Sequence, residues 1–152
     1  MQPPHDPLEA PVEEAIERFI VGAPYGQWLG LACESIERDH VRVVLPFRKE
    51  VTTFGEMVHG GAIASLVDVT ATAAAWAHPA VTLQARGTTV GFSLSFLAPG
   101  LGSDLIADAV IIRRGGSLCV CEVTVSSPGG ECVARALVTY KLKLPPPPGA
   151  AA

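Results

Sequence analysis

The sequence is poor in charge and lacks a basic cluster. Only 17% of its 152 residues are Asp, Glu, Lys or Arg, and the formal net charge is −4. No run of Lys and Arg is longer than the pair Arg113 and Arg114. Nucleic-acid binding needs a concentrated positive surface, so the composition argues against a nucleic-acid partner and leaves a small anionic ligand open.

Long apolar runs suited to a membrane are also missing. The longest stretches without Asp, Glu, Lys or Arg, 69–85 and 87–103, are broken by Pro or Gly and are rich in Ala, Ser and Thr. Neither resembles a bilayer span. The first residues lack the basic start and apolar run of a signal peptide. We therefore expect a soluble cytoplasmic protein with no membrane partner.

Metal-binding spacings are absent as well. The four His are scattered without a pair at ligand spacing, and no C-x-x-C occurs. We expect buried free thiols, no metal site and no other cofactor. These thiols belong to Cys33, Cys119, Cys121 and Cys132.

Apolar residues are abundant. They make up 49% of the chain, and the mean hydropathy is +0.36. A composition this apolar indicates that part of the protein surface is buried in an oligomer. The length fits a single domain, which we place at 11–144, with a disordered N-terminus at 1–10 and a disordered Pro-rich tail at 145–152.

The order of hydrophobic patterns predicts an α+β fold. An amphipathic helix starts at Pro11 and ends at Gly22, and a long apolar helix starts at Gly60. Turn sequences such as RRGG and SPGG separate the strands of an antiparallel meander. One sheet then needs a cover, and the long helix is apolar enough to be that cover. The strands are predicted at 29–37, 40–45, 88–97, 104–113, 118–126 and 131–142.

Asp68 is the only charged residue between Met57 and Ala77. At ~100° per residue, it lies in the middle of a helix face of small residues, opposite a bulky face. An unpaired buried carboxylate is costly, so Asp68 either bonds to a neighbouring Ser, Thr or amide, lies at an edge, or serves a site. We assign Gly61, Ala64, Ser65, Ala71, Thr72 and Ala75 to the small face, and Ile63, Leu66, Val67, Val69, Ala73 and Trp76 to the bulky face.

The sequence His59-Gly60-Gly61 lies at the start of this helix. Unpaired amides and the positive end of the helix dipole favour negative charge there, which suggests an oxyanion hole. At ~1.5 Å per residue, Gly60 and Asp68 are roughly 12 Å apart along the axis. If both act on one carbonyl, Gly60 of one subunit must meet Asp68 of another, which requires a two-fold dimer.

Two segments resemble the hotdog-fold acyl-CoA thioesterases of the PaaI-like, phenylacetate-degradation type. They are V-H-G-G-A-I-A-S-L-V-D and G-T-T-V-G-F-S-L-S-F-L-A-P. The resemblance implies an antiparallel sheet wrapped around a long central helix. It also implies a homodimer with joined sheets, often paired into a homotetramer, and active sites at the dimer interface.

Site roles follow from the resemblance by position. Asp68 would be the general base or the nucleophile, and the Gly60 amide would polarise the thioester carbonyl. Thr89 occupies the place of a Ser or Thr that helps to position water. His59 would shape the loop and contact the thioester region.

The substrate-binding positions include two departures from the family. Thr53 stands where relatives usually carry Asn, and Gly116 stands where many have a basic residue. Coenzyme contacts would then fall to Arg113 or Arg114, although a basic pair in a hairpin can equally be solvated. On the small helix face, the predicted substrate-binding residues are Gly61, Ser65 and Thr72.

The resemblance implies hydrolysis of an aryl- or medium-chain acyl-CoA to the carboxylic acid and CoA, with CoA as part of the substrate. A thiol is a good leaving group, so the reaction needs no Lewis acid. Two alternatives stay open: a non-catalytic acyl-CoA sensor or carrier, which Thr53 favours, and a hydroxyacyl-thioester dehydratase. The sequence does not indicate which acyl group is bound or whether the protein is a dimer or a tetramer.

Overall fold

The computed structural model describes residue 8, residues 10–146 and residue 149. The predicted disordered termini fall mostly on residues 1–7, 9, 147–148 and 150–152, which lie outside the described residues. Within the predicted N-terminal segment, Leu8 is buried and Ala10 begins the first helix.

The described part of the chain forms three α-helices, which precede or cover the sheet. Helix α1 spans Ala10–Ile16 and continues as a π-helical turn over Glu17–Val21, which Gly22 caps as expected. Helix α2 spans Pro24–Leu29, helix α3 spans Gly60–Trp76, and a 3₁₀ turn lies at Lys49–Val51. Among the described residues, no helix has the length and apolar character needed to cross a bilayer.

The described residues form eight strands: β1 (Ala32–Glu37), β2 (His40–Leu45), β3 (Thr52–Phe54), β4 (Met57–Val58), β5 (Arg86–Phe96), β6 (Leu105–Arg114), β7 (Leu118–Ser126) and β8 (Cys132–Lys143). Six of them form one antiparallel sheet in the order β1-β2-β6-β7-β8-β5, and β3 and β4 form a separate hairpin. The fold class and the central helix are therefore as predicted.

The core lies between α3 and one face of the sheet. Alternate residues of each strand point towards the helix, as the period of two requires. On β2 these are Val41, Val43 and Leu45, all nearly inaccessible to solvent. They belong to the same core cluster as Leu66 and Val67 of α3. This packing fixes the rotation of α3 and leaves one stripe of the helix accessible.

The predicted faces of α3 need correction at four positions. Ala71 and Ala75 are fully buried instead of lying on the accessible side. Val69 and Trp76 are partly accessible instead of packing wholly on the sheet. The sheet and the first helices enclose more of the circumference of α3 towards its C-terminus, so small side chains are buried there. The other small-face residues, Asp68 among them, keep partial or full access to solvent.

Two local elements, helix α2 and the β3–β4 hairpin, were not predicted from the sequence. The strand predicted from Leu29 begins at Ala32, because Pro24 starts α2 and Gly30, at φ 75°, ends it. The segment around Thr53, which is not among the predicted strands, forms the β3–β4 hairpin.

Strand β5 lies at the edge of the sheet and pairs only with β8 among the described strands. It is long for an edge strand and carries exposed apolar side chains: Val90, Phe92 and Phe96 are 60%, 42% and 55% exposed. Such an edge is a template for pairing with another chain.

Candidate active site

The Asp68 carboxylate is anchored by strand β5. Thr89 Oγ1 donates a hydrogen bond of 2.6 Å to Asp68 Oδ1. No other described residue donates to the carboxylate, so Oδ2 stays available. The interpretation that Asp68 bonds to a Ser, Thr or amide is thus confirmed for one oxygen, with Thr89 as the partner, and its role in a site stays a prediction.

Sheet register brings Thr89 to this position. Thr89 pairs with Tyr140 of β8, and the pairing shifts by one residue between Thr89 and Gly91. Such a bulge re-aims neighbouring side chains. Thr89 therefore faces α3, while Thr88 on the opposite face is exposed.

His59 caps the N-terminus of α3. Its Nδ1 accepts a 2.8 Å hydrogen bond from the Gly61 amide. An imidazole that accepts at Nδ1 carries its proton on Nε2. The Gly61 amide is thus occupied, whereas the Gly60 amide has no acceptor within the described part of the chain. Of the two glycines, Gly60 is the one free to bind a ligand oxygen.

An open, mainly apolar cleft of about 430 Å³ adjoins Gly60. The Phe96 ring would lie 3.3 Å from a Cβ at Gly60, so any side chain there would be crowded. Thr53 lines the same cleft, which brings this predicted residue together with the helix N-terminus. The remaining lining residues are Met57, Val58, Ile63, Leu97, Ala98, Pro99 and Gly100.

Asp68 opens into a different cleft, of about 290 Å³. Thr72 lies there as well, as predicted from its place on the small face. The two clefts share no lining residue, so one protomer does not bring Gly60 and Asp68 to a common point. The cleft is completed by Phe19, Ile20, Val69, Trp76 and Tyr140.

Ser65 lies between the two clefts on the accessible face of α3. Its hydroxyl donates to the Gly61 carbonyl at 2.8 Å and therefore accepts from the Tyr25 hydroxyl, 2.9 Å away. The contact between Tyr25 and Ser65 was not predicted, because no local pattern places α2 against α3.

The two arginines occupy different environments. Arg114 forms an ion pair of 2.6 Å with Asp39 and donates to the Ala75 carbonyl at 3.1 Å. It thus stabilises the C-terminal end of α3. Arg113 is exposed. A coenzyme contact by either arginine remains a prediction, and Arg113 is the one of the pair with an exposed side chain.

Trp76 and Tyr140 form a pair that the sequence did not reveal. Trp76 Nε1 donates to the Tyr140 hydroxyl at 2.9 Å. Burial raises the pKa of Tyr140; the Trp76 hydrogen bond opposes this shift, and nearby Asp68 adds to it. Tyr140 is therefore a neutral phenol at the wall of the Asp68 cleft. Only the β5–β8 register places it opposite Thr89.

No cluster of three His, Cys, Asp or Glu residues suited to a metal ion occurs among the described residues. Burial raises the pKa of the Cys121 thiol to about 12 and that of the Cys33 thiol to about 11. These thiols are therefore protonated and unreactive near neutral pH.

Comparisons with known proteins identify the family. The model of the thioesterase superfamily matches residues 55–134. A Halobacterium salinarum protein named as an esterase is 32% identical over 104 residues, 66% of this chain and 68% of that protein. The medium/long-chain acyl-CoA thioesterase YigI of Escherichia coli is 25% identical over 139 residues, 82% of this chain and 88% of its own.

Solved structures show the same fold. A thioesterase family protein from Silicibacter pomeroyi superposes with a TM-score of 0.80 at 20% identity, covering 88% of this chain and 99% of that chain. The Escherichia coli PaaI protein from the phenylacetic acid degradation operon gives 0.67 at 19% identity, covering 76% and 85%. The segment matched by the family model contains Gly60, Asp68 and Thr89. The chain therefore belongs to the thioesterase superfamily, as a hotdog-fold hydrolase of thioesters.

Proposed function

We propose that the protein hydrolyses the thioester of an aryl- or medium-chain acyl-CoA to the carboxylic acid and CoA. The observation that carries this proposal is the Asp68 carboxylate. One oxygen is held by Thr89, and the other is free in a cleft of mainly apolar residues. An acyl group would lie in that cleft with its reacting carbon beside a base or nucleophile.

The complete site needs two subunits. Within one protomer, Gly60 and Asp68 belong to separate clefts. A two-fold axis that sets two α3 helices antiparallel would bring Gly60 of one subunit to Asp68 of the other. The exposed apolar edge of β5 supports pairing of the two sheets. We propose a homodimer, or a homotetramer built from two such dimers, with the dimer as the minimal active unit and the cytoplasm as its location.

The chemistry follows from this arrangement. The thioester carbonyl oxygen accepts from the Gly60 amide, which stabilises the negative charge that develops on it during attack. Asp68 of the other subunit removes a proton from the attacking water, or attacks the carbonyl carbon itself and forms an anhydride that water then cleaves. The carbon–sulfur bond breaks, and CoA leaves as a thiolate that takes up a proton. His59 keeps the amide turn in place through its bond to Gly61.

Related proteins support the substrate class. YigI, which is 25% identical over most of this chain, is a medium/long-chain acyl-CoA thioesterase. A medium acyl chain also suits the apolar lining of the Asp68 cleft. Ring-containing acyl groups remain within the proposal, since Phe19, Trp76 and Tyr140 offer aromatic partners in the same cleft.

Thiol release from a panel of aryl and aliphatic acyl-CoAs tests the proposal. Asp68→Asn keeps the shape of the side chain and removes the base or nucleophile. We expect turnover to fall by about 10²- to 10⁴-fold while the fold and oligomeric state persist. Glu56→Gln, an exposed carboxylate-to-amide change near the start of α3, is the matched control and should retain activity. Undiminished activity of Asp68→Asn, or no thiol release from any ester by the natural chain, would refute the proposal.

A further inference from the structure

A second apolar cavity lies behind the Asp68 cleft. It has a volume of about 110 Å³, is partly open to solvent, and lies between α1 and the segment that follows α3. Trp76 belongs to the lining of both spaces, so its indole is the partition between them. The other lining residues are Pro11, Val12, Ala15, Ile16, Val81, Thr82 and Leu83.

The Trp76 side chain packs against buried residues of the core and makes one side-chain hydrogen bond. Trp76 Nε1 donates to the Tyr140 hydroxyl at 2.9 Å, and no other described group bonds to the indole nitrogen. The Tyr140 ring lies against Gly87, where a Cβ would be 2.4 Å from the phenol oxygen, so the glycine leaves room for the ring.

We infer that this cavity receives the far end of a linear acyl chain and that Trp76 is the gate to it. The inference rests on the proposed function, because Asp68 fixes the reacting end of the chain. Seven of the eight lining residues are apolar, and the eighth is Thr82, so the cavity suits hydrocarbon and disfavours charge. The nucleotide of CoA is charged and must lie towards the open side of the cleft. Only the acyl tail can then pass Trp76.

The cavity volume sets the expected size of the effect. At about 30 Å³ for each water-sized group, 110 Å³ accommodates about three or four methylenes. Each methylene removed from water should raise kcat/KM about fourfold. When three methylenes fill the cavity, kcat/KM for a long ester should exceed kcat/KM for a short one by about 60-fold.

Two substitutions act on this preference in opposite directions. Ala15→Phe fills the cavity from α1, and Trp76→Leu opens the partition while keeping an apolar side chain. Two controls leave both spaces unchanged: Ala10→Phe lies at the exposed start of α1, and Trp28→Leu removes an exposed indole from α2. The measured quantity is the ratio of kcat/KM for decanoyl-CoA to that for butyryl-CoA, within a series from butyryl- to myristoyl-CoA.

We expect Ala15→Phe to lower this ratio by about 50-fold and Trp76→Leu to raise it by at least about fourfold, with the optimum moving to longer chains. Both controls should keep the natural ratio. Thermal melting would show whether Ala15→Phe folds. If it does not, the ratio of kcat/KM values measured for Trp76→Leu is sufficient to test the inference. An unchanged ratio in Trp76→Leu, with Asp68-dependent hydrolysis intact, overturns the inference and leaves the proposed function standing. No hydrolysis of any ester by the natural chain overturns the proposed function instead.

Discussion

Replacing Thr89 by Val tests how the fold prepares Asp68 for reaction. The change keeps a β-branched side chain of similar shape on strand β5, so the sheet should be preserved. It removes the donor that lies 2.6 Å from Asp68 Oδ1. The carboxylate is then free to rotate away from the position that it needs in the cleft.

The magnitude follows from the kind of hydrogen bond. A bond to a charged group contributes about 1.5–3 kcal/mol, and the lower part of that range applies because both residues are partly accessible. At about 1.4 kcal/mol for each factor of ten, 1.5–2 kcal/mol corresponds to a loss of about 10- to 30-fold in kcat/KM. Most of the loss should appear in kcat, since the bond positions a reacting group and does not grip the substrate.

Steady-state thiol release over a range of acyl-CoA concentrations separates kcat from KM. Thr89→Ser keeps the hydroxyl and should recover most of the activity. Thr88→Val removes the neighbouring exposed hydroxyl and should have little effect, because its closest acceptor is the Thr89 carbonyl at 3.5 Å. A Thr89→Val protein that is folded and fully active would refute the assignment of Thr89 as the residue that positions Asp68.

Gly87→Ala should destabilise the protein by about 1–3 kcal/mol in urea unfolding, because the new Cβ would lie 2.4 Å from the Tyr140 hydroxyl oxygen and force the ring to move. Gly91→Ala on the same strand meets nothing within 4 Å and is the matched control; equal losses in both variants would contradict the steric reason. The hydrogen bond with Asp108 raises the pKa of His40 above its ordinary 6.5, so the stabilisation is fully present below that value and is lost as pH rises through the raised one. His40→Gln should therefore flatten the fall in the free energy of unfolding as the pH rises above about 6.5, and an unchanged slope would exclude this pair as its source.

Much of the fold was determined by local sequence. The strand at His40–Leu45 alternates between apolar and other side chains, and its bounds agree with the prediction. The strand at Leu118–Ser126 was also predicted with its bounds. Helix α3 begins at Gly60 because His59 caps it, and it continues because its interior has neither Pro nor Gly beyond the first turn. These features depend on neighbours in the chain, so periodicity and capping reveal them.

The sequence also placed Asp68 and the His59-Gly60-Gly61 turn on one helix and fixed their axial separation, because helix geometry is local. Only the tertiary structure decided which residues meet Asp68. Thr89 is 21 positions away and reaches the carboxylate through the packing of β5 beside α3. Tyr140 and Trp76 are separated by 64 positions and meet through the register of β5 with β8 and the rotation of α3. Contacts of this range depend on how the sheet curls around the helix, and no local pattern encodes that curvature.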